Sequence, residues 1–266
     1  MLQIFNIIIL GAIQGLTEFL PVSSSGHLVI FQNFLDMGAG GMTLDIFLHT
    51  GTLAAVIVIF RKDIMELMRG FLSSVRITKT GSPEYVRLFW LVIAANVPAG
   101  IAGVFFKDYI ELFFAGGRYV YIFLIITGGV LFLNRFVRAE GFEMGRLRLG
   151  RSVVIGIAQM FAILPGISRS GMTITAGLLL GLKREDAVRF SFFLMMPAVL
   201  GATLLEILEF SALAISVPEL IIGMSVSFIT GYGAIKLLLW TVKKSRFHLF
   251  SYYCVFAGIT GLMFLS

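Results

Sequence analysis

Two short polar stretches lie inside an otherwise apolar chain, and the first of them runs from Gln14 to His27. Its sequence, QGLTEFLPVSSSGH, combines a glutamate, a histidine and three serines with Pro21 and Gly26, which weaken a helix. Non-helical backbone at membrane depth persists only where it is buried in protein or lines a wet cavity. Ionisable residues at that depth are costly and indicate function. The sequence therefore predicts a broken helix that carries chemistry.

A second stretch, Gln159 to Thr173, repeats the first one 145 residues later and reads QMFAILPGISRSGMT. Arg169 takes the place of Ser24. Two matching segments broken by Pro and Gly indicate an internal repeat with a site at its interface. The alternative is a chance match of residue types that are common in membrane helices. The residues that match are Gly11, Gln14, Ser23, Ser25 and Gly26, which correspond to Gly156, Gln159, Ser168, Ser170 and Gly171.

Arg169 is the group of the second stretch that is best suited to bind an anion. A guanidinium at membrane depth needs an anion, and its planar fork matches phosphate. Backbone N–H groups at the break near Gly166, where a half-helix begins, add partial positive charge. The sequence thus predicts a phosphate clamp; the alternative, compatible with it, is a structural pair between Arg169 and Glu18. The hydroxyl groups that can also donate to phosphate are those of Ser168, Ser170 and Thr173.

Glu18 is the candidate metal ligand or general base of the first stretch. Gln14 lies one helical turn before it, so the two share one helix face and the Gln14 carbonyl can join Glu18 on a divalent cation. His27 can act as a general acid–base group because imidazole titrates near neutral pH; the alternative is a hydrogen-bonded buried imidazole. Asp45 and His49 form another such pair, either as a second layer around the site or as polar residues of the membrane surface.

The composition is that of a helical integral membrane protein. Of the residues 58% are hydrophobic and 14% are charged, against about a quarter charged in soluble domains. The ten-residue alternation of a membrane β-barrel is missing from the sequence. The net charge of +6 comes from loop residues that set orientation and contact anionic lipid, so we expect membrane lipids and no nucleic acid as partners. The single Cys254 excludes an internal disulfide framework.

We predict an all-α architecture in which one membrane domain covers residues 1–266, with repeat halves at about 1–140 and 141–266. The broken segments at 2–35 and 152–182 are expected to fold back as re-entrant helical hairpins. An amphipathic segment, 61–76, is expected to lie on the membrane surface. The six predicted transmembrane helices are 44–60, 88–106, 119–136, 190–208, 220–240 and 250–265.

Lysine and arginine residues give the predicted orientation. They concentrate around 61–87, 135–151, 183–189 and 243–246, which we place in the cytoplasm. Every span then alternates, both termini lie outside, and one hairpin enters from each side. The two halves are therefore inverted relative to each other. The predicted outer loops, which contain few basic residues, are 36–43, 107–118 and 209–219.

In these motifs the sequence resembles the bacterial undecaprenyl-diphosphate phosphatase family, also called the bacitracin-resistance protein family. The resemblance covers essentially the whole chain. The family has a Glu-or-Gln-x-x-x-Glu motif before a Pro-x-Ser-Ser-x-Gly-His run, here Gln14 to His27, and a Pro-Gly-x-Ser-Arg-Ser-x-x-Thr motif, here Pro165 to Thr173. The resemblance implies hydrolysis of a polyprenyl diphosphate to the monophosphate and inorganic phosphate. That reaction recycles the lipid carrier of cell-wall synthesis and confers resistance to bacitracin.

The resemblance also implies a divalent cation, Mg²⁺ or Ca²⁺, and a plasma (inner) membrane location with the site toward the periplasm. Some members have Glu at the position of Gln14, so Glu18 must carry more of any metal role here. A homodimer is one candidate assembly. The expected catalytic residues are Glu18, Ser24, His27 and Arg169, with Glu18 also the metal ligand. The expected substrate-binding residues are Gln14, Ser23, Ser25, Gly166, Ser168, Ser170 and Thr173.

The sequence leaves two questions of mechanism open. Either water or Ser24 can be the attacking group. A transporter or flippase of a polyprenyl phosphate, or of another lipid anion, is the alternative function, because inverted repeats and anion clamps at the bilayer midplane are transporter features. The cluster of Glu18, Ser24 and His27 favours the hydrolase, since a carrier has less need of such groups. Too few polar residues lie along any one span for an ion channel.

Overall fold

The computed structural model describes residues 2–35, 40–115, 117–137, 140–209 and 215–264. Within these ranges the chain is helical, and its one extended contact is an isolated bridge between Phe142 and Leu182. The predicted all-α class is thereby confirmed. The helices are α1 Leu2–Phe19, α2 Ser24–Phe34, α3 Gly40–Ile59, α4 Arg61–Ser74, α5 Pro83–Phe105, α6 Lys107–Ala115, α7 Gly117–Phe132, α8 Leu149–Phe161, α9 Arg169–Leu179, α10 Arg184–Glu209, α11 Val217–Lys243 and α12 Phe250–Phe264.

Four helical segments of the described chain are long and apolar enough to cross a membrane. They coincide with four of the six predicted spans, with 3₁₀ turns extending α7 and preceding α12. A fifth span is possible by length if α3 and α4 are taken as one bent unit. The remaining predicted span, 190–208, lies in α10, which is not among these segments. The four segments are Pro83–Phe105, Gly117–Phe136, Val217–Lys243 and Phe247–Phe264.

The amphipathic segment after α3 forms the predicted helix. The α4 helix turns by 88° from the α3 axis, as expected for a segment that lies along the membrane surface. Its Leu67 and Gly70 are buried, whereas Met65 and Met68 are about half exposed. One face of α4 therefore packs on the protein and another is free for a membrane surface.

The predicted outer loops need correction. Residues 107–115 form the helix α6, because this stretch has no Gly or Pro to interrupt it and its aromatic Phe113 packs edge-on against Tyr119 and Phe123. The predicted loop 36–43 is shorter than expected, since α3 begins at Gly40; residues 36–39 lie outside the described chain. Of the predicted loop 209–219, residues 210–214 lie outside it as well.

The helices that correspond in the two sequence repeats have corresponding neighbours. The α1 helix packs along α11, and α8 packs along α5, while α7 and α12 pack on each other. The α9 helix begins and ends 145 residues after α2, at 169 against 24 and at 179 against 34. The two broken helices are thus each supported by one long apolar helix of the other half.

Glycines permit the close approach of these helices. A Cβ atom on Gly156 of α8 would lie 2.0 Å from the carbonyl oxygen of Ala95 in α5. A Cβ atom on Gly15 of α1 would lie 2.5 Å from the carbonyl oxygen of Ser227 in α11. Such distances leave no room for any side chain, so backbone packs directly on backbone at both contacts.

We expect Gly156→Ala to destabilise the protein by about 1–3 kcal/mol, because the added methyl group forces α8 and α5 apart. Gly150→Ala is the matched control, since a Cβ atom there meets nothing within 4 Å in the same helix. Thermal unfolding in detergent, followed by the loss of monodisperse protein, measures both. Equal melting temperatures for the two variants would contradict the close α5–α8 contact.

Candidate functional site

The first break separates α1 from α2 at residues 20–23. Ser23 caps α2, and its Oγ accepts a hydrogen bond from the backbone N–H of Gly26 at 3.3 Å. The backbone of Ser23 has φ 68°, a conformation that a residue with a Cβ atom rarely adopts. Such strain persists only where the surroundings impose it, and it is frequent at functional sites.

The second break separates α8 from α9 at residues 162–168 and is capped in the same way. Ser168 Oγ accepts from the N–H of Gly171 at 3.0 Å. Each capping hydroxyl also contacts the hydroxyl two residues on, at 3.2 Å between Ser168 and Ser170 and at 3.4 Å between Ser23 and Ser25. The sequence repeat therefore specifies two local structures of the same kind.

The two breaks meet each other inside the protein. The backbone N–H of Gly166 donates to Ser23 Oγ at 3.1 Å, so one hydroxyl joins both segments. Gly166 has φ 102°, and its N and Cα atoms would lie 3.0–3.1 Å from a Cβ on Gly26. The first turn of α2 thus lies against the break that precedes α9, and the N-termini of both helices, which are the positive ends of their dipoles, lie close to this junction. That arrangement favours an anion.

Glu18 lies at this junction and is 6% exposed. Its Oε1 accepts a hydrogen bond from Arg169 Nη2 at 2.6 Å. Its Oε2 accepts from the side-chain amide of Gln14 at 3.1 Å and from the hydroxyl of Ser24. His49 Nε2 lies 3.6 Å from the same oxygen. Four side chains therefore surround one carboxylate. Three of them come from α1, α2 and α3 in the first half, and Arg169 comes from the second half.

Two polar atoms of this cluster are buried without a partner among the described residues. They are Nη1 of Arg169 and Oε1 of Gln14. A buried donor or acceptor that stays unpaired costs about 1–3 kcal/mol. Arg169 is the first residue of α9, so an anion bound at the N-terminus of this helix would satisfy the unpaired Nη1. The Arg169 side chain is 15% exposed and can be reached by a ligand.

The remaining predicted residues lie around this cluster, with their hydroxyls engaged in the protein. Thr173 donates to the carbonyl of Arg169 at 2.8 Å and contacts Ser191 Oγ at 2.6 Å. Ser170 donates weakly to the Leu20 carbonyl at 3.4 Å. The predicted hydroxyls other than those of Ser24 and Ser25 are almost fully buried, as part of the caps that hold the breaks.

His27 lies near the cluster but its ring does not face Glu18. A carbonyl oxygen can only accept, so Nδ1 donates to the Ser23 carbonyl at 2.8 Å. In the neutral ring Nε2 then accepts from the hydroxyl of Tyr253 at 2.7 Å. The two rings stack with centroids 5.8 Å apart. The imidazole therefore links the strained Ser23 to α12 through two hydrogen bonds.

Sequence reasoning missed two residues that hold the breaks in place. Thr127 of α7 donates to the Gly166 carbonyl at 2.9 Å and accepts from the N–H of Ser168 at 3.1 Å. Tyr253 of α12 holds His27. Both lie in apolar spans more than 35 residues from their partners, and neither span has a motif that marks them. The helix pair α7–α12 thus supports both breaks.

The donor set around Glu18 fits a hard divalent cation that also binds phosphate. Over the described residues no group of three His, Cys, Asp or Glu side chains is placed to hold a metal. A Mg²⁺ ion shared with phosphate needs only one or two carboxylates, with water and the phosphate completing its shell. Glu18 and the unpaired Oε1 of Gln14 supply two oxygens. The residues therefore suit a shared metal–phosphate site and not a cage made of protein alone.

A charged cavity of the described chain lies elsewhere. It has a volume of about 700 Å³ and shares no residue with the cluster around Glu18. Its wall consists of charged residues from the basic loops, paired as Lys183–Glu143 at 2.7 Å and Lys243–Glu185 at 3.2 Å. The junction of the two breaks is the better candidate for the functional site, because it holds the unpaired buried groups of Arg169 and Gln14.

Comparison with known proteins identifies the family of the chain. The sequence model of the family described as "Bacitracin resistance protein BacA" matches residues 7–260, which include both breaks. The chain belongs to the BacA family. Curated relatives named undecaprenyl-diphosphatase match over nearly their full length. The protein of Methanobrevibacter smithii is 43% identical, with 98% of each chain covered, and that of Methanosphaera stadtmanae is 41% identical, with 99% and 98% covered.

A third relative matches over its full length. The protein of Korarchaeum cryptofilum is 41% identical over 99% of this chain and 100% of its own length. The matches therefore extend over nearly the whole of both chains.

We expect Thr127→Val to destabilise the protein by about 2 kcal/mol or more, because it leaves a buried carbonyl and a buried N–H of the second break without partners. Thr260→Val is the control: its hydroxyl only returns to carbonyls of its own helix and is partly exposed. Unfolding in detergent measures both variants. If Thr127→Val were as stable as the control, the hydrogen bonds of Thr127 would not hold the break.

Proposed function

We propose that the protein is a membrane phosphatase that hydrolyses undecaprenyl diphosphate, or a polyprenyl diphosphate like it, to the lipid monophosphate and inorganic phosphate. The observation that carries the proposal is the Ser24–Glu18–Arg169 chain of contacts at the meeting point of two helix N-termini. The three curated relatives quoted above are named for this activity, and none of them is named as a carrier. The reaction recycles the lipid carrier of cell-wall synthesis and confers resistance to bacitracin.

Arg169 and the two helix N-termini bind the diphosphate in this proposal. Nη1 of Arg169 is buried without a partner among the described residues, so it binds a phosphate oxygen after a local opening of the site, while Nη2 stays on Glu18. Charge that develops on the transferred phosphoryl group is stabilised by donors that are already fixed in place. The predicted binding residues Ser23, Ser168 and Gly166 act by shaping the breaks, since their polar groups already bond to each other or to the backbone.

Ser24 is the proposed nucleophile. Its hydroxyl donates to Glu18 Oε2, so the carboxylate can take the proton as the oxygen attacks the terminal phosphorus. The bond from that phosphorus to the bridging oxygen breaks, and the lipid monophosphate leaves. Water then hydrolyses the phosphoserine, which releases inorganic phosphate and restores the hydroxyl. Direct attack by water gives the same products without a covalent intermediate.

His27 remains a proposed acid–base group for the second step. Its Nε2 is occupied by the Tyr253 hydroxyl, so it can take part only after that hydrogen bond opens. A divalent cation, Mg²⁺ or Ca²⁺, would be held by Glu18 and the Gln14 carbonyl, as the unpaired Oε1 supports. When bound, such an ion neutralises charge on the phosphate oxygens.

The membrane arrangement is also a proposal. We place six spans and two re-entrant hairpins in one domain, whose inverted halves are about 1–140 and 141–266. The domain lies in the plasma (inner) membrane, and the site is open toward the periplasm. The matching neighbours of α1 and α8 and the equal lengths of α2 and α9 support it. Half-helices of 11 residues are about 16 Å long, roughly half of the hydrocarbon thickness. The homodimer stays a prediction.

We expect Ser24→Ala and Arg169→Lys to lower kcat by a hundredfold or more, because each removes a group that acts on the transferred phosphoryl group. Phosphate release from a long-chain polyprenyl diphosphate in detergent measures the rate. Arg118→Lys, on the exposed start of α7, is the matched control. A fully active Ser24→Ala variant would exclude the serine as nucleophile and leave water, whereas an inactive wild-type protein would contradict the phosphatase.

We expect a cysteine at Lys79, in a basic exposed loop, to react with an impermeant maleimide only from the cytoplasmic side. A cysteine at Tyr109, in exposed α6, is expected to react only from the outer side. The native Cys254 is buried and serves as the unlabelled background. Right-side-out and inverted vesicles give the two readouts. Labelling of both positions from one side would contradict the proposed orientation.

A further inference from the structure

The contact between His49 and Glu18 cannot be a direct hydrogen bond. His49 Nδ1 faces the carbonyl oxygen of Asp45 at 2.8 Å and must donate to it, since that oxygen can only accept. In the neutral ring the lone pair of Nε2 then points toward Glu18 Oε2. The two atoms lie 3.6 Å apart, beyond hydrogen-bonding distance. Two lone pairs that face each other need a positive charge between them, which is either a proton or a cation.

The spacing suits a cation. Two ligand atoms that each lie about 2.1 Å from one metal ion are about 3 to 4 Å apart. An imidazole that binds a metal through one nitrogen almost always donates its other N–H to a carbonyl or carboxylate, as His49 does to Asp45. The third atom is Oε1 of Gln14, which is buried without a partner, beside the same carboxylate.

We propose that His49 is a metal ligand and that this protein binds its divalent cation through one nitrogen, at His49 Nε2, together with Glu18 Oε2 and Gln14 Oε1. This proposal rests on the phosphatase proposed above and names the metal chemistry of that same site. The amide of Gln14 turns to present its oxygen, and Arg169 keeps Glu18 Oε1, so the phosphate is held between the ion and the guanidinium. Glu18 Oε2 has two lone pairs, so it binds the ion through one and receives the proton of Ser24 through the other.

A nitrogen ligand changes which metals the site prefers. Oxygen-only sites suit Mg²⁺ and Ca²⁺, whereas imidazole raises the relative affinity for transition metals such as Mn²⁺, Co²⁺ and Zn²⁺. The site therefore binds Mn²⁺ more tightly than Mg²⁺ or Ca²⁺. The substitution His49→Gln replaces the nitrogen by an amide oxygen of similar reach, so it reduces this preference without emptying the position.

Pulsed EPR of Mn²⁺ bound to the purified full-length protein tests the proposal, because it detects the ¹⁴N nucleus of a coordinated imidazole. The chain has three histidines. His27 has both ring nitrogens engaged, and His248 lies in the turn before α12. We expect a nitrogen signal in the wild type and in the control His248→Gln, and its loss in His49→Gln, with Mn²⁺ affinity lowered about tenfold and Mg²⁺ affinity unchanged.

Three results would overturn the proposal: bound Mn²⁺ without a nitrogen signal, a signal that persists in His49→Gln, or no Mn²⁺ binding in the millimolar range. Each would leave His49 as a neighbour of Glu18 that has no ligand role. Phosphate release by the same samples is measured separately. Activity without a nitrogen signal would contradict only the proposed ligand role of His49. Lack of activity with every metal would contradict the proposed phosphatase function itself.

Discussion

The ion pair between Arg169 and Glu18 is the interaction on which the rest of the site depends. It joins the two broken segments, which are 151 positions apart in the chain, through a 2.6 Å contact that is almost shielded from solvent. Removing one member of a buried pair costs about 3–5 kcal/mol, because the other charge is left without compensation. Each half of the molecule therefore depends on the other to place a charge at membrane depth.

The second constraint is the supply of hydrogen bonds to the two breaks. Non-helical backbone away from water must find internal partners. Ser23 and Ser168 satisfy the N–H groups of their own helices, and Ser23 also satisfies Gly166. Thr127 satisfies both sides of the second break. Most polar side chains of the motifs thus fold the site, which leaves Ser24, Glu18 and Arg169 as the groups best placed to act on a ligand.

The sequence predicted the parts of this arrangement that leave a local mark. Polar residues and helix breakers at a fixed 145-residue offset identified both breaks, and the lone Arg169 identified the partner of Glu18. Tyr253 and Thr127 were not predictable, because single hydroxyls on apolar helices show no pattern until the helices pack. The helix α6 was missed because its mixed charges are typical of loops. Asp45 and His49 were predicted either around the site or at the membrane surface, and the sequence could not decide because the distance from His49 to Glu18 depends on how α3 packs on α1.

The short half-helices have an electrical consequence. At the junction the N-termini of two 11-residue helices, α2 and α9, lie close together. In the proposed membrane arrangement the apolar barrier to small ions is thinnest there, and the membrane potential falls over a shorter path. In that arrangement Glu18 and Arg169, which hold each other while the site has no substrate, also act as a plug. Each turnover must open that plug for a phosphate and close it again without leaking protons.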